Sequence, residues 1–227
     1  MNLTMKNSFQ TFLKQEESKN YYQELIKKVT QEEQKHNVFP PKELRFDALN
    51  YFEAEETKLI IIGQDPYYLK NQADGLAFST QGNICPKSLN NIFKELKKDY
   101  SETNIETYSL KSWAKQGVLL INTCLSVNEN QPLSHKNFGW EIFVINLIKY
   151  ILKKNKNVIF GIWGNDAKRI LQIVQNDYKI DENKIIFTSH PSPLAYSKTT
   201  NSFKDSKFFI RVNSLLKNPI NWDLRKD

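Results

Sequence analysis

Four short apolar segments, each followed at once by polar or aromatic residues, constrain the fold of this chain more than any other feature. They are β-branched and uninterrupted by charge, which is typical of strands that are buried on both faces of a parallel sheet. The segments run over residues 58–63, 117–121, 157–162 and 184–189. Helices between successive strands would form right-handed crossovers and cover both faces. The sequence therefore predicts an α/β fold, with a central four-stranded parallel sheet and helices on both faces.

Helical periodicity fills the remaining parts of the chain. Ser88 has the residue type of an N-cap, whose hydroxyl accepts a bond from an orphan backbone amide. The predicted helices are two within residues 4–35, one over 89–98, and one each over 140–154, 166–176 and 206–217. No linker rich in Pro, Gly or Ser interrupts the 227 residues, so we predict a single domain over residues 1–227.

The positive charge lies in the part of the chain that carries the predicted strands. Residues 1–58 hold 9 basic and 10 acidic residues and net −1, whereas residues 59–227 hold 23 and 15 and net +8. A field of this sign favours a polyanion as partner, most simply a nucleic acid. A composition rich in Lys and Asn is the competing explanation, so charge alone leaves the partner open.

The composition also excludes several classes of protein. Cys85 and Cys124 are too few for a disulfide framework or a four-thiolate iron–sulfur cluster, and we expect reduced thiols. No apolar stretch is long enough to cross a bilayer, and the polar N-terminal segment lacks a signal-peptide core. We therefore expect a soluble, cytoplasmic protein.

Polar and aromatic residues follow each of the four predicted strands. Gln64 and Asp65 follow the first strand, Asn122 the second, Trp163 the third and His190 the fourth. In open α/β sheets, ligands bind beyond the carboxyl ends of the strands. The sequence thus brings a carboxylate, two amides, an aromatic ring and an imidazole to one edge of the sheet, and it predicts a binding site there.

Three motifs, in order along the chain, carry a resemblance to a known family. The motifs are Gly63-Gln-Asp-Pro-Tyr-Tyr68 with 72–79, then 117–123 with 134–136 and 139–140, and finally His190-Pro-Ser-Pro-Leu194. Over most of residues 58–212 the chain resembles the main uracil-DNA glycosylase family. The resemblance implies a monofunctional enzyme of base excision repair. Such an enzyme flips uracil out of DNA, hydrolyses its N-glycosidic bond and leaves an abasic site.

Three side chains have the chemistry to recognise uracil. Phe78 offers a flat face for stacking on an extruded base. The Asn122 carboxamide supplies an acceptor for uracil N3–H and a donor for O4, whereas cytosine reverses both groups. Each buried group left unpaired costs about 1–3 kcal/mol, so Asn122 would discriminate against cytosine. Tyr67 is placed to exclude the methyl group of thymine by volume.

The bond-breaking step develops positive charge on the sugar and negative charge on the departing base. Asp65 would orient the attacking water, stabilise the oxocarbenium-like sugar, or both. His190 would donate a hydrogen bond to uracil O2 as that oxygen becomes anionic; by resemblance, its imidazole is neutral. Gln64 is expected to contribute backbone amides near O2. The sequence predicts no cofactor and no metal.

Contacts with DNA are assigned by resemblance to residues around the mouth of the site. Leu194 would enter the space that uracil vacates, as apolar wedges do elsewhere on duplex DNA. Ser88 and Ser192 would contact phosphates, which fix the register without reading sequence. The expected partners are single- and double-stranded DNA containing uracil and, by the same resemblance, a DNA-mimicking inhibitor protein. We expect a monomer.

Three residues depart from the family pattern. Tyr68 and Asp74 stand where the family usually has His, and Ala195 replaces a common Ser. The first two change the polarity of the loop around Asp65, and the third removes a hydroxyl that could contact a phosphate. None of them removes a residue assigned to chemistry.

Each assignment has a structural alternative. Asp65 could cap the turn before Pro66, Asn122 could form a turn, and Ser88 could only cap its helix. Phe78, Trp163 and His190 could be core residues, and for Trp163 we expect the core.

For the whole chain there are two alternative functions. One is a noncatalytic DNA-binding protein with this fold, and the other is a different α/β enzyme that binds a nucleotide. Intact Asp65, Asn122 and His190 argue against the first. The lack of a Gly-rich phosphate loop after the first strand disfavours the second.

Overall fold

A four-stranded parallel sheet lies at the centre of the structure, a computed structural model that describes residues 5–198 and 200–226. The described strands are β1 (Val38–Phe39), β2 (Leu59–Gly63), β3 (Val118–Asn122), β4 (Val127–Asn128), β5 (Ile159–Trp163) and β6 (Ile185–Thr188). The main sheet has the order β3–β2–β5–β6 with parallel pairing throughout, and β1 and β4 form a separate antiparallel pair. The predicted fold class is confirmed.

The strands of the main sheet are apolar along their length because both of its faces are covered. Every residue of β2, β3 and β5 is buried, although successive side chains point to opposite faces. In β6, at the edge of the sheet, buried residues alternate with partly buried ones. The uninterrupted apolar runs in the sequence therefore reflect burial on two sides.

Helices flank this sheet and occupy most of the predicted intervals. They are α1 (Asn7–Glu17), α2 (Asn20–Glu33), α3 (Lys87–Asp99), α4 (Lys111–Ala114), α5 (Trp140–Lys154), α6 (Asn165–Gln175) and α7 (Phe208–Ser214). The N-terminal helical region was predicted from residue 4, which lies outside the described residues. The last helix begins later than the predicted residue 206 because Lys207 adopts a left-handed backbone with φ 52° before it, and it ends at Ser214 rather than at residue 217.

The prediction that Ser88 caps a helix beginning at Leu89 is wrong. Helix α3 begins at Lys87, and Pro86 occupies the N-cap position with φ −62° and ψ 148°. The Pro86 carbonyl accepts a hydrogen bond from the Asn90 amide at 2.9 Å. The proline ring fixes φ near the helical value, so the helix starts two residues earlier than predicted. Ser88 lies within the first turn.

Two further findings bear on the predicted class of protein. Cys85 and Cys124 both carry free thiols, as predicted. In the part of the chain that the structure describes, no helix is long and apolar enough to cross a membrane.

Candidate active site

A cavity of about 250 Å³ opens beyond the carboxyl ends of β2 and β3. Seven of the predicted site residues line it, namely Gln64, Asp65, Tyr67, Phe78, Ser88, Asn122 and His190. Ser192 and Leu194 do not line the cavity and lie on the segment that follows His190. The structure thus gathers residues from four separate parts of the chain around one opening.

Strand register sets the position of Asn122. Asn122 ends β3 and pairs with Gly63, which ends β2. A β carbon on residue 63 would lie only 2.2 Å from Asn122 Oδ1, so glycine is required for this close approach. Asn122 is 7 % exposed, and it lines the cavity. The donor and the acceptor of its carboxamide can therefore be reached by a ligand in the cavity.

Phe78 forms an aromatic wall of the cavity. Its ring centroid lies 5.1 Å from that of Trp163 and 5.8 Å from that of His190. Trp163 is almost fully buried, which agrees with its predicted place in the core. Phe78 has φ 64°, a backbone conformation that is uncommon for a bulky residue and is often found at functional sites. The ring of Phe78 is therefore supported from behind by core residues.

Tyr67 is fixed against the backbone of Phe78. Its hydroxyl donates a hydrogen bond to the Phe78 carbonyl oxygen at 3.1 Å. Burial raises the pKa of Tyr67 above its ordinary value, so the phenol stays protonated and remains a donor. This bond holds the Tyr67 ring against the residue whose own ring forms the aromatic wall.

The Asp65 carboxylate is oriented by a residue far along the chain. The Leu133 amide donates a hydrogen bond to Asp65 Oδ2 at 2.8 Å, across 68 positions. Burial raises the pKa of Asp65, while this bond and one from its own amide oppose the change because they favour the carboxylate. Asp65 thus does more than close the turn at Pro66.

The hydrogen bonding of His190 fixes which ring nitrogen carries the proton. The Ser192 amide donates to His190 Nδ1 at 3.0 Å. A nitrogen that accepts a hydrogen bond carries no proton, so the neutral ring has its N–H at Nε2. Burial lowers the pKa of His190, and the negative charge of Asp166 acts in the opposite direction. The imidazole is therefore a neutral donor through Nε2.

The Gln64 side chain turns away from the base-binding groups. Its Nε2 donates to Asp166 Oδ2, at the start of α6, at 3.0 Å. The Gln64 carbonyl oxygen accepts from the Cys124 amide at 3.0 Å and from the Thr123 hydroxyl at 2.8 Å. Gln64 thus links the loop after β2 to the loop after β3.

The three residues predicted to contact DNA lie at or beyond the mouth of the cavity. Ser88 lines the cavity from the first turn of α3, and Ser192 is partly buried two residues after His190. Leu194 is 77 % exposed. Its side chain is therefore open to contact with a partner, four residues beyond His190.

The sequence marks Asp74 only as a departure from the family pattern, whereas the structure shows that it is a buried carboxylate beneath the aromatic wall. Asp74 is 1 % exposed and accepts hydrogen bonds from the Ser79 hydroxyl at 2.5 Å and the Leu76 amide at 3.3 Å. Burial raises the pKa of Asp74 to about 6. Because Asp74 bonds both sides of Phe78 in sequence, it organises the turn that carries this ring. The feature of the sequence that could have pointed to this role is an acidic residue among apolar neighbours.

Further residues of the first motif also line the cavity, namely Pro66, Tyr68, Ala73, Gly75, Leu76 and Ser79. Four lining residues gave no signal in the sequence, namely Pro40, Arg45, Leu125 and Pro132. The place of these four in the cavity depends on tertiary packing. His135, in contrast, is fully buried with hydrogen bonds to Ser126 and Asn128, which is a structural role.

Comparisons with known proteins identify the family. The model of the uracil DNA glycosylase superfamily matches residues 49–217. The chain belongs to this superfamily. A uracil-DNA glycosylase of Mesomycoplasma hyopneumoniae is 42 % identical over 223 residues, which cover 96 % of this chain and 99 % of the relative. The predicted family and enzyme class, a uracil-DNA glycosylase of DNA repair, are confirmed.

Solved glycosylase structures share the fold over nearly the whole chain. The crystal structure of mimivirus uracil-DNA glycosylase matches with a TM-score of 0.86 and 31 % identity, over 98 % of this chain and 88 % of that one. A variant of mimivirus UNG in complex with UGI matches with a TM-score of 0.86 and 32 % identity, over 98 % and 90 %. The glycosylase fold therefore accounts for the arrangement of strands that builds the cavity.

Proposed function

We propose that the cavity binds uracil flipped out of DNA and hydrolyses its N-glycosidic bond. The observation that supports this most strongly is that Asn122, a largely buried residue with a carboxamide, lines the same cavity as the ring of Phe78. A pyrimidine stacked on Phe78 would present its edge to Asn122. Uracil offers a donor at N3 and an acceptor at O4, and the carboxamide pairs with both.

The base leaves as an anion that His190 stabilises. In this proposal Nε2–H donates to uracil O2, and the electrons of the breaking bond collect on the base. Protonation at Nδ1 would place an N–H against the Ser192 amide, so this environment favours the neutral ring. His190 therefore acts as a preorganised hydrogen-bond donor rather than as an acid.

Asp65 serves the sugar side of the same bond. Its carboxylate, fixed by the Leu133 amide, faces the cavity and would orient a water toward the sugar carbon that loses the base. The water oxygen forms the new bond to that carbon and loses a proton, which passes through the Asp65 carboxylate to solvent. The negative charge of Asp65 stabilises the positive charge that develops on the sugar. The backbone around Gln64 supports the O2 side, and Tyr67 restricts the space beside the base.

Residues outside the cavity would bind the DNA that carries uracil. We assign phosphate contacts to Ser88 and Ser192, and entry into the vacated space to Leu194. The complex of a mimivirus relative with UGI supports the predicted inhibitor protein as a partner. The monomeric state, the cytoplasmic location and the single domain over residues 1–227 stay predictions.

The proposal is tested by incubating the protein with a uracil-containing oligonucleotide in the presence of EDTA. We expect free uracil and an abasic strand that breaks only after alkali treatment. A matched oligonucleotide with thymine at the same position should stay intact, because Tyr67 refuses the methyl group. Strand nicking without base release, or activity that EDTA abolishes, would contradict the proposal.

A further inference from the structure

Helix α3 presents two buried polar side chains to the segment that carries Leu194. Asn91 and Glu95 are four residues apart, so they share one face of the helix. Asn91 is 7 % exposed and Glu95 is 1 % exposed. Polar side chains are seldom buried so deeply unless they have bonding partners. Their partners lie on either side of Leu194 in sequence.

Asn91 holds the segment on the N-terminal side of Leu194. Its Nδ2 donates to the Pro191 carbonyl oxygen at 2.8 Å. Pro191 is itself buried and stands between His190 and Ser192, two residues with proposed roles in catalysis and phosphate contact. The bond therefore fixes the point at which the segment leaves the cavity.

Glu95 holds the segment on the C-terminal side. One carboxylate oxygen accepts hydrogen bonds from the Tyr196 hydroxyl and, at 2.8 Å, from Lys98 Nζ. The other accepts from the Asp205 amide at 2.6 Å. A buried carboxylate is costly unless such donors surround it, so this arrangement ties Tyr196 firmly to α3.

Leu194 projects from between these two attachments. A further bond, from the Ser189 hydroxyl to the Ala195 carbonyl oxygen at 2.8 Å, closes the base of the segment. A loop that must push into a stacked duplex loses binding energy if it has to be ordered at that moment. A segment that is already fixed avoids this cost.

We propose that Asn91 and Glu95 are positioning residues for strand opening, which hold residues 191–196 in the shape in which Leu194 enters duplex DNA. This inference rests on the proposed function, because it needs a wedge that acts on the duplex. The same helix α3 also carries Ser88 in its first turn. The residue that contacts phosphate, Ser88, and the wedge residue, Leu194, would then be held by one rigid element.

The test measures kcat/KM for uracil in single-stranded and in duplex oligonucleotides. Tyr196→Phe removes one hydroxyl and retains the aromatic ring. We expect it to lower activity on the duplex roughly two- to tenfold more than on the single strand, the factor that one net hydrogen bond represents. Asn91→Ala, which releases the other attachment, should show the same selective loss.

The chain provides a matched control in α2. The Tyr21 hydroxyl donates to the carboxylate of Glu16, which is also buried and also bonded to a lysine, Lys19. Tyr21→Phe thus removes a comparable bond to a buried carboxylate away from the cavity, together with the bond that Asn146 Nδ2 donates to the Tyr21 hydroxyl at 3.4 Å. It should leave the ratio of duplex to single-strand activity unchanged, whatever stability it loses.

A double mutant identifies the route of the effect. Leu194→Ala should itself reduce activity on the duplex selectively, and Tyr196→Phe should add no further selective loss in that background. Equal losses on both substrates, or a full selective loss in the Leu194→Ala background, would overturn the positioning role. A wild-type protein that releases uracil from neither substrate would overturn the proposed function instead. If Leu194→Ala lowers activity equally on duplex and single strand, both the wedge role of Leu194 and the positioning role of Asn91 and Glu95 are contradicted.

Discussion

Burial shifts the pKa values of Asp65 and His190 in opposite directions. It raises the pKa of the carboxyl group and lowers that of the imidazole, so both changes reduce charge inside the cavity. Local hydrogen bonds then favour a different charge state for each of the two groups. Leu133 donates to Asp65 and favours its charged form, whereas Ser192 donates to His190 and favours its neutral form. We therefore expect one carboxylate and one neutral donor near neutral pH.

Asp65→Asn tests the role of that carboxylate. The variant keeps the volume of the side chain and removes its charge, so it should lower kcat by roughly 10²–10⁴-fold. DNA affinity, measured with a labelled uracil-containing duplex under single-turnover conditions, should change little. A parallel loss of affinity and turnover would instead indicate that Asp65 only shapes the turn at Pro66.

Asn122→Asp tests how the cavity reads the base. The carboxylate keeps the shape but cannot donate to uracil O4, and it adds repulsion toward that oxygen. If burial keeps the group protonated, it could pair with cytosine N3 and N4 in the reversed sense. We expect a large fall in uracil excision and slow cytosine excision, measured as abasic sites in matched oligonucleotides. Uracil excision at the parental rate would show that Asn122 does not read the base.

Residues next to strand ends could be placed from the sequence, whereas residues brought in by packing could not. Asp65, Asn122 and His190 line one cavity because parallel strands end at the same edge. The partner of Asp65 is Leu133, 68 positions away, and no local pattern points to that contact. Asp74 differs in that its acidic character stood out, but its hydrogen bonds depend on the tertiary fold.

At the scale of secondary-structure elements, the length of an element decides whether the sequence predicts it. The four strands of the main sheet appear within two residues of their predicted bounds, because each is a continuous apolar run. The pair β1 and β4 and the short helix α4 were missed, since two to four residues show no periodicity. The error at Ser88 arose because Pro86 also starts a helix and lies two residues earlier.

The pairing of β2 with β3 makes a prediction about Gly63. In Gly63→Ala, the new β carbon would meet Asn122 Oδ1 at 2.2 Å and the Ala77 β carbon at 2.9 Å. The Asn122 carboxamide must then move, and we expect kcat/KM for uracil to fall about tenfold or more, as for loss of one hydrogen bond to the base. Steady-state kinetics well below the melting temperature measure this effect.

Gly161→Ala is the control for general crowding of the sheet. A β carbon there would lie 2.7 Å from the Phe208 ring and 3.1 Å from Ile61 Cγ1, in the core and away from the cavity. This variant should lose stability and keep kcat/KM. Similar losses of kcat/KM in both variants would show that strand packing in general, rather than the position of Asn122, controls activity.

At the scale of the whole molecule, most charged groups are exposed, whereas a few carboxylates are buried. The net charge of +7 suits a protein that approaches a polyanion, and most of these charges lie on the exposed surface. A few carboxylates are buried instead, and each of them needs donors. Glu16 and Glu95 have a lysine as partner. Asp74 has only neutral donors, the Ser79 hydroxyl and the Leu76 amide.

Asp74 should therefore reduce global stability once it is charged. Its pKa is raised from 3.8 to about 6, mainly by burial; nearby Asp47 acts in the same direction, and Lys111 opposes it. The folded chain then binds a proton more tightly than the unfolded chain between these two values, so stability falls as pH rises through this window. Two pKa units correspond to ~3 kcal/mol of unfolding free energy, lost in full above the folded pKa.

Asp74→Asn removes this titration and tests the size of the penalty. Relative to wild type, the variant should gain up to ~3 kcal/mol of unfolding free energy between about pH 4 and pH 8, measured by urea unfolding at a series of pH values. Glu102→Gln, which removes one exposed negative charge, corrects for the change in net charge and should show no such gain. A stability difference that stays constant with pH would mean that the fold compensates the Asp74 charge fully. A difference that shrinks as pH rises would mean that charged Asp74 stabilises the fold.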